Sequence, residues 1–391
     1  MIKFKKIFYC SSIRKCELNS YLGNLICNFL KRNGFVLVPK SSEADVIIIG
    51  TCGFDQTRED EAIFLINRYI DNYLDKKQII ICGCLPKINP SLNQPKDILK
   101  KLILIGPKEL DRFNKVFHPQ VPIEDIASNE IDKELIDKEY FQNRDNYSIL
   151  ICQGCVNNCA YCAIKKAKGD ITSKPMNKVI EEFKRGLKLG FKHFILLGDD
   201  CGSYGLDIGT DLAELLNEID KIKGNYRIDI HYFEPSRLEV LFPKINKTVF
   251  KRIYAIRIPI QSISQRIIKL MNRKYDVKKV FKIIKEIKKI SPSIILRTHF
   301  IYCYPTETRE EFIENINYPN LRYFDQIHYY RYSARKGTPA AKLKGKIGRN
   351  ERKKRIEIVR QISKERSNHV FPYGDEIKIE GINFDKPLIT K

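Results

Sequence analysis

The stretch Cys152-Gln-Gly-Cys155-Val-Asn-Asn-Cys159-Ala-Tyr161-Cys162 brings four cysteines and a tyrosine together within eleven residues. Cys155, Cys159 and Cys162 follow the spacing Cys-x3-Cys-x2-Cys, with Tyr161 directly before the last thiol. Three thiolates on one short loop can bind three irons of a cubane iron-sulfur cluster and leave the fourth iron without a protein ligand. The spacing therefore predicts a [4Fe-4S] site with an open iron, where a small molecule can be bound and reduced.

A structural zinc site is the alternative for this loop. Cys152 adds a fourth thiol at Cys-x2-Cys spacing from Cys155, and four cysteines can close a zinc site. Zinc ribbons, however, usually take their two cysteine pairs from segments about fifteen or more residues apart. The loop instead resembles the cluster loop of the radical S-adenosylmethionine (SAM) enzymes. That resemblance implies SAM as the molecule at the open iron, with Tyr161 part of its binding site.

The overall charge is compatible with an anionic partner. The chain has 391 residues, with 70 Lys and Arg against 47 Asp and Glu and a net charge of +23. This length allows two or three domains, and the charge would suit RNA, a ribosomal surface or an acidic peptide. A genome biased toward Lys, Ile and Asn would produce the same excess, so the charge by itself selects no partner.

The cysteines and the hydropathy pattern indicate a reducing compartment and no membrane. Twelve cysteines in a chain without a cleavable signal sequence indicate reduced thiols and metal sites rather than disulfides. The apolar run after the basic residues 1–6 is too short for a secretory signal, and no stretch reaches the length of a membrane span. We therefore expect a cytoplasmic protein.

The first hundred residues alternate short apolar runs with helical patterns. Helices are predicted at 19–33 and 57–74, the second with Thr57 and Asp60 as capping candidates. This alternation predicts an open, mostly parallel α/β sheet. The predicted strands are 7–9, 35–38, 45–50, 78–83 and 102–105.

Cysteines follow three of these strands. Cys52 comes after the third strand, Cys84 after the fourth, and both Cys10 and Cys16 come after the first. Ligands of open parallel sheets sit beyond the carboxyl ends of the strands. Three thiols from three strand ends would therefore meet at one site, which indicates a second iron-sulfur cluster with an open iron. Scattered core thiols are the alternative.

The motifs around these cysteines resemble those of the methylthiotransferases, a radical SAM family with an N-terminal cluster domain, a central barrel and a C-terminal RNA-binding-type domain. Cys16-Glu-Leu-Asn19 resembles the family's Cys-x-x-Asn, while Gly50-Thr-Cys52-Gly-Phe54 and Gly83-Cys84-Leu85 resemble its other two cysteine motifs. The resemblance implies that Cys16, Cys52 and Cys84 hold an auxiliary [4Fe-4S] cluster. Cys10 stays the alternative first ligand, because about six extra residues separate the first strand from Cys16.

Residues 146–341 repeat strand and helix six times, after a cluster domain at 1–108 and a charged linker at 109–145. Six βα units predict a curved parallel sheet, a radical SAM partial (β/α)6 barrel, with its chemistry at the carboxyl ends of the strands. The cysteine loop follows the first strand, as this rule requires. The predicted strands are 148–152, 193–198, 227–233, 254–260, 294–302 and 326–332.

Polar residues near the ends of these strands are candidate SAM contacts. Asp199 follows the second strand, Gln261 follows the fourth, Arg297 lies in the fifth, and Glu307 lies in the turn after it. A buried SAM would need hydrogen bonds to its ammonium, carboxylate and hydroxyl groups, and the resemblance implies this role. The alternative is that each residue caps a helix or a turn.

Two segments depart from the family pattern. Asp199-Asp200 stands where the family has Gln-Asp or Gln-Asn, and Cys303-Tyr-Pro-Thr-Glu-Thr308 stands where it has Gly-Phe-Pro-Gly-Glu-Thr. Without these glycines, side chains are expected where backbone would approach the cofactor, which predicts a reshaped SAM pocket. Cys201 and Cys303, near the same edge, are expected to be bystanders.

Residues 342–391 are expected to form a basic amphipathic helix at 342–366 and a short tail. The residues after this helix are too few for the small β-barrel RNA-binding domain that the resemblance would imply. At most one strand is expected, at 371–379.

The resemblance also implies the reaction. One SAM at the first cluster is cleaved reductively to a 5′-deoxyadenosyl radical, which removes hydrogen from an unactivated carbon. Sulfur carried by the auxiliary cluster is inserted there, and a second SAM methylates it. An electron donor such as flavodoxin or ferredoxin is implied as a partner.

The substrate is open between two branches of the family. Thr51-Cys-Gly-Phe54 and Tyr204-Gly205 resemble the branch that modifies an aspartate of a ribosomal protein, whereas Ser262 and the segment 333–341 also suit the branch that modifies tRNA adenosine. We expect a polypeptide substrate, a ribosomal protein or a free peptide, with tRNA as the alternative. The cysteine motifs would also suit a radical SAM peptide-modifying enzyme whose auxiliary cluster donates no sulfur, or a non-enzymatic iron-sulfur protein that binds RNA or acts as a sensor.

Overall fold

The described residues form two compact units. A computed structural model describes residues 5–12, 16–126, 129 and 146–365, together with the backbone of 370–373. The first unit holds 5–126 with 166–169, and the second holds 146–165 with 170–373. Of the expected linker at 109–145, the part up to 126 includes a short helix, and residues 130–145 lie outside the described residues.

The first unit is an open parallel sheet, as the sequence predicts. Its strand order is β2-β1-β3-β4-β5, and every strand pair is parallel. The strands are β1 Lys6–Ser11, β2 Val36–Leu37, β3 Val46–Thr51, β4 Gln78–Gly83 and β5 Leu102–Ile105. The helices are α1 Glu17–Arg32, α2 Gln56–Tyr73, α3 Leu85–Ile88, α4 Lys96–Lys101 and α5 Arg112–Phe117. Alternate residues of the strands lie on opposite faces of the sheet and pack into two separate apolar clusters, one on each face.

The first turn of α2 is capped by a residue other than those predicted. The Asp55 carboxylate accepts a hydrogen bond from Arg58 N at 2.8 Å, which makes Asp55 the N-cap. The prediction of Thr57 and Asp60 as caps was wrong, because the helix begins earlier, at Gln56. Helix α1 begins directly after Cys16.

The second unit is a parallel sheet with the strand order of a βα barrel. Its order is β14-β13-β12-β11-β10-β9-β6, all parallel, which confirms the partial barrel. The strands are β6 Asn146–Leu150, β9 His193–Leu197, β10 Arg227–His231, β11 Ile253–Arg257, β12 Ile295–Tyr302, β13 Gln326–Arg331 and β14 Val370–Tyr373, and a small hairpin pairs β7 Cys152–Gln153 with β8 Thr172–Ser173. A seventh strand joins the six predicted barrel strands, because β14 pairs with β13. It overlaps the C-terminal strand predicted at 371–379, whose pairing with the barrel sheet was not predicted.

Helices connect these strands and bury the outer face of the sheet. They are α6 Ile164–Lys168, α7 Met176–Lys188, α8 Leu212–Asp220, α9 Pro235–Leu241, α10 Lys247–Arg252, α11 Gln265–Leu270, α12 Val277–Ile290, α13 Arg309–Asn317 and α14 Arg349–Glu365. Strand residues of one parity, such as Ile230, Ile256, Leu296 and Phe300, join helical residues in the main apolar core.

The basic C-terminal helix is shorter than predicted. The structure has α14 at Arg349–Glu365 instead of 342–366. A 3-10 turn occupies Pro339–Lys342, and Gly345 has a left-handed φ of 78° that interrupts any helix there. Arg355 and Val359 of α14 are buried, so this helix packs within the second unit instead of standing apart after residue 341. Residues 374–391 lie outside the described part.

None of the helices in the described part of the chain is long and apolar enough to cross a membrane.

Candidate functional site

The loop 154–162 is held in place by backbone hydrogen bonds. Gly154 has a left-handed φ of 80°, and its N–H donates to the Asp199 carboxylate at 2.9 Å. Ala160 is bound on both sides: its N–H donates to Met271 O at 2.9 Å, and its carbonyl accepts from Ala340 N at 2.8 Å. The loop therefore has one fixed path at the carboxyl edge of the second sheet.

Its three thiols are half-buried, and two of them receive a backbone donor. Asn157 N lies 3.4 Å from Cys155 Sγ, and Ile164 N lies 3.4 Å from Cys162 Sγ. Burial, with the neighbouring Asp200, raises the pKa of the free Cys155 thiol to about 12. Burial raises the pKa of Cys162 to about 11. N–H donors to sulfur favour the thiolate that a bound iron requires, so the loop fits three ligands of a cluster.

The zinc alternative finds no support in the geometry. Cys152 is buried, and its thiol points to Asp200 O at 3.4 Å. Within residues 5–12, 16–126 and 146–365, no three His, Cys, Asp or Glu side chains group as a single metal ion would require. A cubane cluster spreads its thiolates over different irons, so it needs no such convergence on one point.

Tyr161 is fixed by a buried ion pair. Arg273 donates to Tyr161 Oη at 2.9 Å, to Glu234 Oε1 at 3.0 Å and to Pro259 O at 3.1 Å. Glu234 N in turn donates to Asp200 Oδ1 at 3.3 Å. Burial, followed by the charge of Glu234, raises the pKa of Asp200 to about 6. This network joins the cysteine loop to the ends of two further strands.

Gln261 combines an uncommon backbone conformation with an unpaired polar atom. Its φ is 70°, held by Gln261 N donating to His299 O at 2.7 Å and Ile301 N donating to Gln261 O at 2.9 Å. Its side-chain Oε1 is buried without a hydrogen-bond partner among the described residues. An orphaned buried acceptor costs stability, and the ammonium and hydroxyl groups of SAM are donors that would satisfy it. The pocket residues therefore fit SAM.

The second group of thiols lies at the carboxyl edge of the first sheet. Asn19 Nδ2 donates to Cys16 Sγ at 3.4 Å, and Phe54 N lies 3.4 Å from Cys52 Sγ. Burial, then the nearby thiols of Cys84 and Cys16, raises the pKa of Cys52 well above its usual value. The strands that these cysteines follow, β1, β3 and β4, are neighbours in the sheet, so the three thiols come from adjacent strand ends, as the site of one cluster requires.

Gly83, directly before Cys84, allows strands β3 and β4 to lie in close contact. Gly83 has φ 105°, and a Cβ there would lie 2.3 Å from Thr51 O. Cys84 N donates to the same carbonyl at 3.2 Å. The tight contact between β3 and β4 thus sets where Cys84 leaves the sheet.

Comparisons with known proteins agree with this geometry. The radical SAM superfamily model matches residues 149–318, and a model described as uncharacterized protein family UPF0004 matches residues 13–103. A probable threonylcarbamoyladenosine tRNA methylthiotransferase of Methanocaldococcus jannaschii is 32% identical over 364 residues, covering 90% of this chain and 82% of that protein. The chain belongs to the radical SAM methylthiotransferase family. The family predicted from the motifs is confirmed, and with it the use of SAM and of two [4Fe-4S] clusters.

Other methylthiotransferases match this chain at similar identity, but their names refer to different substrates. The ribosomal protein uS12 methylthiotransferase RimO of Carboxydothermus hydrogenoformans is 29% identical, covering 90% of this chain and 81% of that protein. The tRNA-2-methylthio-N(6)-dimethylallyladenosine synthase of Acetivibrio thermocellus is 28% identical, covering 97% and 82%. Membership in the methylthiotransferase family therefore does not fix the substrate.

Solved structures support the fold alone. The radical SAM methyltransferase TsrM of Kitasatospora setae superposes with a TM-score of 0.58 at 12% identity, covering 92% of this chain and 78% of that chain.

The turn at 303–308 takes backbone angles that suit glycine, although it lacks the glycines of the family motif. Cys303 has φ 60° and Thr306 has φ 69°, so both occupy the left-handed region that glycine would adopt more easily. Thr306 N donates to Gly345 O at 2.8 Å, and Arg266 donates to Thr306 O at 2.8 Å. These bonds hold the strained turn, and the reshaped SAM pocket stays a prediction.

Glu307 and Arg297 are two further predicted SAM contacts. Glu307 is buried, and its carboxylate accepts hydrogen bonds from Cys303 N and Arg355, both at 2.7 Å, and from Asn315 at 3.3 Å. This geometry does not support Glu307 as a SAM contact, because both of its oxygens already accept hydrogen bonds. Arg297 lies within β12, as the sequence predicts, and is the ladder partner of Arg257; its contact with SAM stays a prediction.

Cys10 lies inside β1 among buried apolar residues, with its thiol 3.8 Å from Ile48 O, whereas Cys16 belongs to the group of three. The geometry thus favours Cys16 over the alternative Cys10. Cys201 and Cys303 are both buried.

Sequence reasoning missed Glu234 and Arg273 as site residues. A signal for Glu234 was available: it directly follows the third predicted barrel strand, where the carboxyl-end rule places functional residues. Its pairing with Arg273, 39 positions later, has no local signature.

Proposed function

We propose that this methylthiotransferase modifies an adenosine of tRNA. We assign the SAM-binding cluster to Cys155, Cys159 and Cys162, and the auxiliary cluster to the thiols of Cys16, Cys52 and Cys84. What supports the assignment is that each parallel sheet carries three thiols beyond its strand ends, and that two sulfurs in each group receive a backbone or amide donor.

The protein's own residues hold and orient the reactants. When bound, the two clusters and SAM supply one-electron chemistry, sulfur and a methyl group. Asp199 fixes Gly154 at the start of the loop, and Arg273 fixes Tyr161. Gln261 offers its free acceptor to a donor group of SAM. Glu234 and Arg273 form a buried ion pair that holds these contacts in place.

The observation that favours tRNA is an exposed basic segment at 336–364. It carries ten exposed cations against one exposed acid, Glu357. The cations are Lys336, Lys342, Lys344, Lys346, Arg349, Arg352, Lys353, Lys354, Arg360 and Lys364. Exposed cations in such density suit a polyphosphate backbone, which takes one contact per phosphate.

The basic segment begins beside the cysteine loop. Ala340 N donates to Ala160 O of that loop, and Gly345 O accepts from Thr306 N of the turn after β12. A polyanion bound along this segment would therefore have one end at the carboxyl edge of the barrel, where the thiols lie. This supports tRNA over the polypeptide that the N-terminal motifs led us to expect.

A ribosomal protein is the second candidate. The motif Thr51-Cys-Gly-Phe54 and the identity to a uS12 methylthiotransferase favour it. A peptide-modifying enzyme whose auxiliary cluster donates no sulfur would share the thiols but form no carbon-sulfur bond.

The test is product analysis with the cluster-loaded protein. The protein is incubated anaerobically with SAM and a low-potential reductant such as flavodoxin. The substrate is either tRNA that lacks the methylthio group or a protein of the small ribosomal subunit. Mass spectrometry of digests should find a methylthio group on a tRNA adenosine. A methylthio group found only on the ribosomal protein would contradict the tRNA proposal and support the second candidate. Formation of deoxyadenosine without any sulfur-bearing product would argue against thiotransfer.

Binding measurements test the basic segment separately. The triple variant Lys344→Gln, Lys346→Gln, Lys353→Gln should weaken tRNA binding and lower the slope of log affinity against log salt by about 2. The matched control neutralises three exposed lysines of α12, Lys278→Gln, Lys282→Gln and Lys285→Gln. Equal losses in both variants would mean that the basic segment has no special role.

A further inference from the structure

The cysteine loop has an exposed side next to two of its thiols. Val156, directly after Cys155, is 38% exposed, and Asn158, directly before Cys159, is exposed as well. The two thiols themselves are half-buried. A molecule that touches this side of the loop is therefore one residue away from two of the proposed cluster ligands.

A second segment of the chain lies against the same part of the loop. Ala160 N donates to Met271 O at 2.9 Å, and Asn272 Nδ2 donates to Asn158 O at 2.7 Å. Helix α12 begins shortly after this contact, at Val277. Exposed side chains that flank residues 271–272 thus lie beside the cysteine loop.

This segment, residues 269–282, is basic at its surface. It exposes five lysines against one acid, Asp276, which is the N-cap of α12 and accepts a hydrogen bond from Lys279 N at 3.0 Å. A further exposed acid beside the loop, Asp170, forms an ion pair with Lys165. The five exposed lysines are Lys269, Lys274, Lys278, Lys279 and Lys282. We define the loop face as Val156, Asn158, Lys269, Lys274 and Lys278.

We infer that the loop face is the docking surface of an acidic one-electron carrier protein. Reductive cleavage of SAM takes up one electron, which the carrier loses and the cluster on the cysteine loop gains. Complexes of electron carriers are small, below about 1,200 Å² of buried surface, so a short patch beside the loop is sufficient. Lysines around an apolar centre complement a carrier that presents carboxylates, and such complementarity speeds association. The inference goes beyond the choice of substrate and rests on the proposed assignment of the SAM-binding cluster.

RNA is the other anion that a basic surface could bind, and the loop face suits a carrier protein better. Val156 is apolar, and it can be buried against a protein surface, whereas contacts to a nucleic-acid backbone come from charged and polar groups. The basic segment at 336–364 offers a polyanion ten exposed cations, twice as many as the five at 269–282. Val156 and Asn158 are also bonded directly to ligand residues, which gives an electron a short covalent route to the thiols.

Reduction kinetics test this docking surface. Oxidised, cluster-loaded protein is mixed anaerobically with reduced flavodoxin, and rapid-freeze EPR follows the reduced cluster whose spectrum changes when SAM is added. In the variant Lys269→Gln, Lys274→Gln, Lys278→Gln, the second-order rate constant should be about tenfold lower at low salt. The difference should shrink as salt screens the charges. Dithionite, a small reductant that needs no docking surface, should reduce the variant and the wild type at similar rates.

Three lysines at the opposite edge of the second sheet provide the matched control. Lys184, Lys188 and Lys289 are exposed near the C-terminal ends of α7 and α12, which lead to the amino ends of β9 and β12. Flavodoxin should reduce the variant Lys184→Gln, Lys188→Gln, Lys289→Gln as fast as the wild type. Equal slowing in both triple variants, or a loop-face variant that is reduced as fast as the wild type, would overturn the inference.

Binding of tRNA separates this inference from the proposed substrate. The loop-face variant should bind tRNA as tightly as the control variant does. A selective loss of tRNA affinity with unchanged reduction by flavodoxin would assign the loop face to RNA and overturn the inference. Failure of tRNA modification would count against the proposed substrate only, because these reductions need no substrate. A wild type that dithionite cannot reduce would contradict the cluster assignment itself.

Discussion

Glu307 and Arg355, 48 positions apart, form a buried ion pair with the guanidinium nitrogen 2.7 Å from the carboxylate. Arg355 also donates to the Glu307 carbonyl at 3.2 Å. The pair fixes α14 to the turn after β12, and the same turn is bound to Gly345. The start of the basic segment and the strained turn at 303–308 therefore form one packed structure.

Breaking this pair should destabilise the fold strongly. Arg355→Met leaves the Glu307 carboxylate buried without its cation, which typically costs about 3–5 kcal/mol. Urea unfolding should show this loss for Arg355→Met, whereas Lys353→Met, on the exposed face of the same helix, should change the free energy of unfolding by less than about 0.5 kcal/mol. The double variant Arg355→Met, Glu307→Gln should recover part of the loss. A single variant as stable as the control would contradict the assigned role of the pair.

The same pair shows where sequence reasoning stops. The carboxyl-end rule drew attention to Glu307, because it applies to turns that directly follow a strand, but it assigned Glu307 to SAM. What decides the role of Glu307 is its partner, Arg355, which comes from a helix 48 positions later that the sequence showed only to be basic. The cysteine motifs were easier to interpret because their ligands lie on one loop or directly after apolar runs. The pairing of β14 with β13 and the pairing of Glu234 with Arg273 likewise depend on long-range contacts.

Gly83→Ala should disturb the auxiliary thiols. The new Cβ would lie 2.3 Å from Thr51 O at a φ of 105°, so the strands must shift, at a cost of about 3 kcal/mol or more. Iron content should fall with stability, since Cys84 is the next residue. Gly190→Ala is the control: Gly190 also has a left-handed φ, 89°, but no atom lies within 4 Å of the added Cβ. That control should lose only about 1 kcal/mol and keep its iron. Similar losses in both variants would mean that backbone strain alone, not the contact with Thr51, explains the effect.

Iron counting should distinguish Cys16 from Cys10. The variant Cys16→Ala, Cys52→Ala, Cys84→Ala should retain about half of the iron, since one of two [4Fe-4S] clusters is lost. Cys10→Ala should keep the full content, because its thiol lies among the apolar residues of the first sheet. A full iron content in the triple variant would mean that these three thiols do not bind a cluster. A loss in Cys10→Ala as large as in a Cys16→Ala variant would restore Cys10 as a ligand.

Acid should destabilise the second sheet through Asp229. Burial acts to raise the pKa of Asp229, but the hydrogen bond with His193 at 2.8 Å and the nearby His231 outweigh it and hold the pKa at about 2. The folded pKa lies below the usual value near 3.9, so the stabilisation is present above about pH 4 and is lost as the pH falls toward 2. Asp229→Asn should remove about 2 kcal/mol of this pH-dependent stability. Unfolding curves at pH 6 and pH 3 should therefore differ less in Asp229→Asn than in the wild type. Equal pH dependence in both would mean that Asp229 is not the responsible carboxylate.

Replacing Gln261 with glycine distinguishes the role of its left-handed backbone from the role of its side chain. Glycine adopts the observed φ of 70° without strain, so Gln261→Gly should fold at least as stably as the wild type. It nevertheless removes the buried Oε1 acceptor, and equilibrium dialysis of cluster-loaded protein should show SAM affinity about tenfold weaker, as expected for one lost hydrogen bond to a charged donor. His118→Gly is the control, because His118 is exposed and also left-handed, with φ 44°; it should leave SAM affinity unchanged. Unchanged affinity in Gln261→Gly would mean that the orphaned acceptor serves another group than SAM.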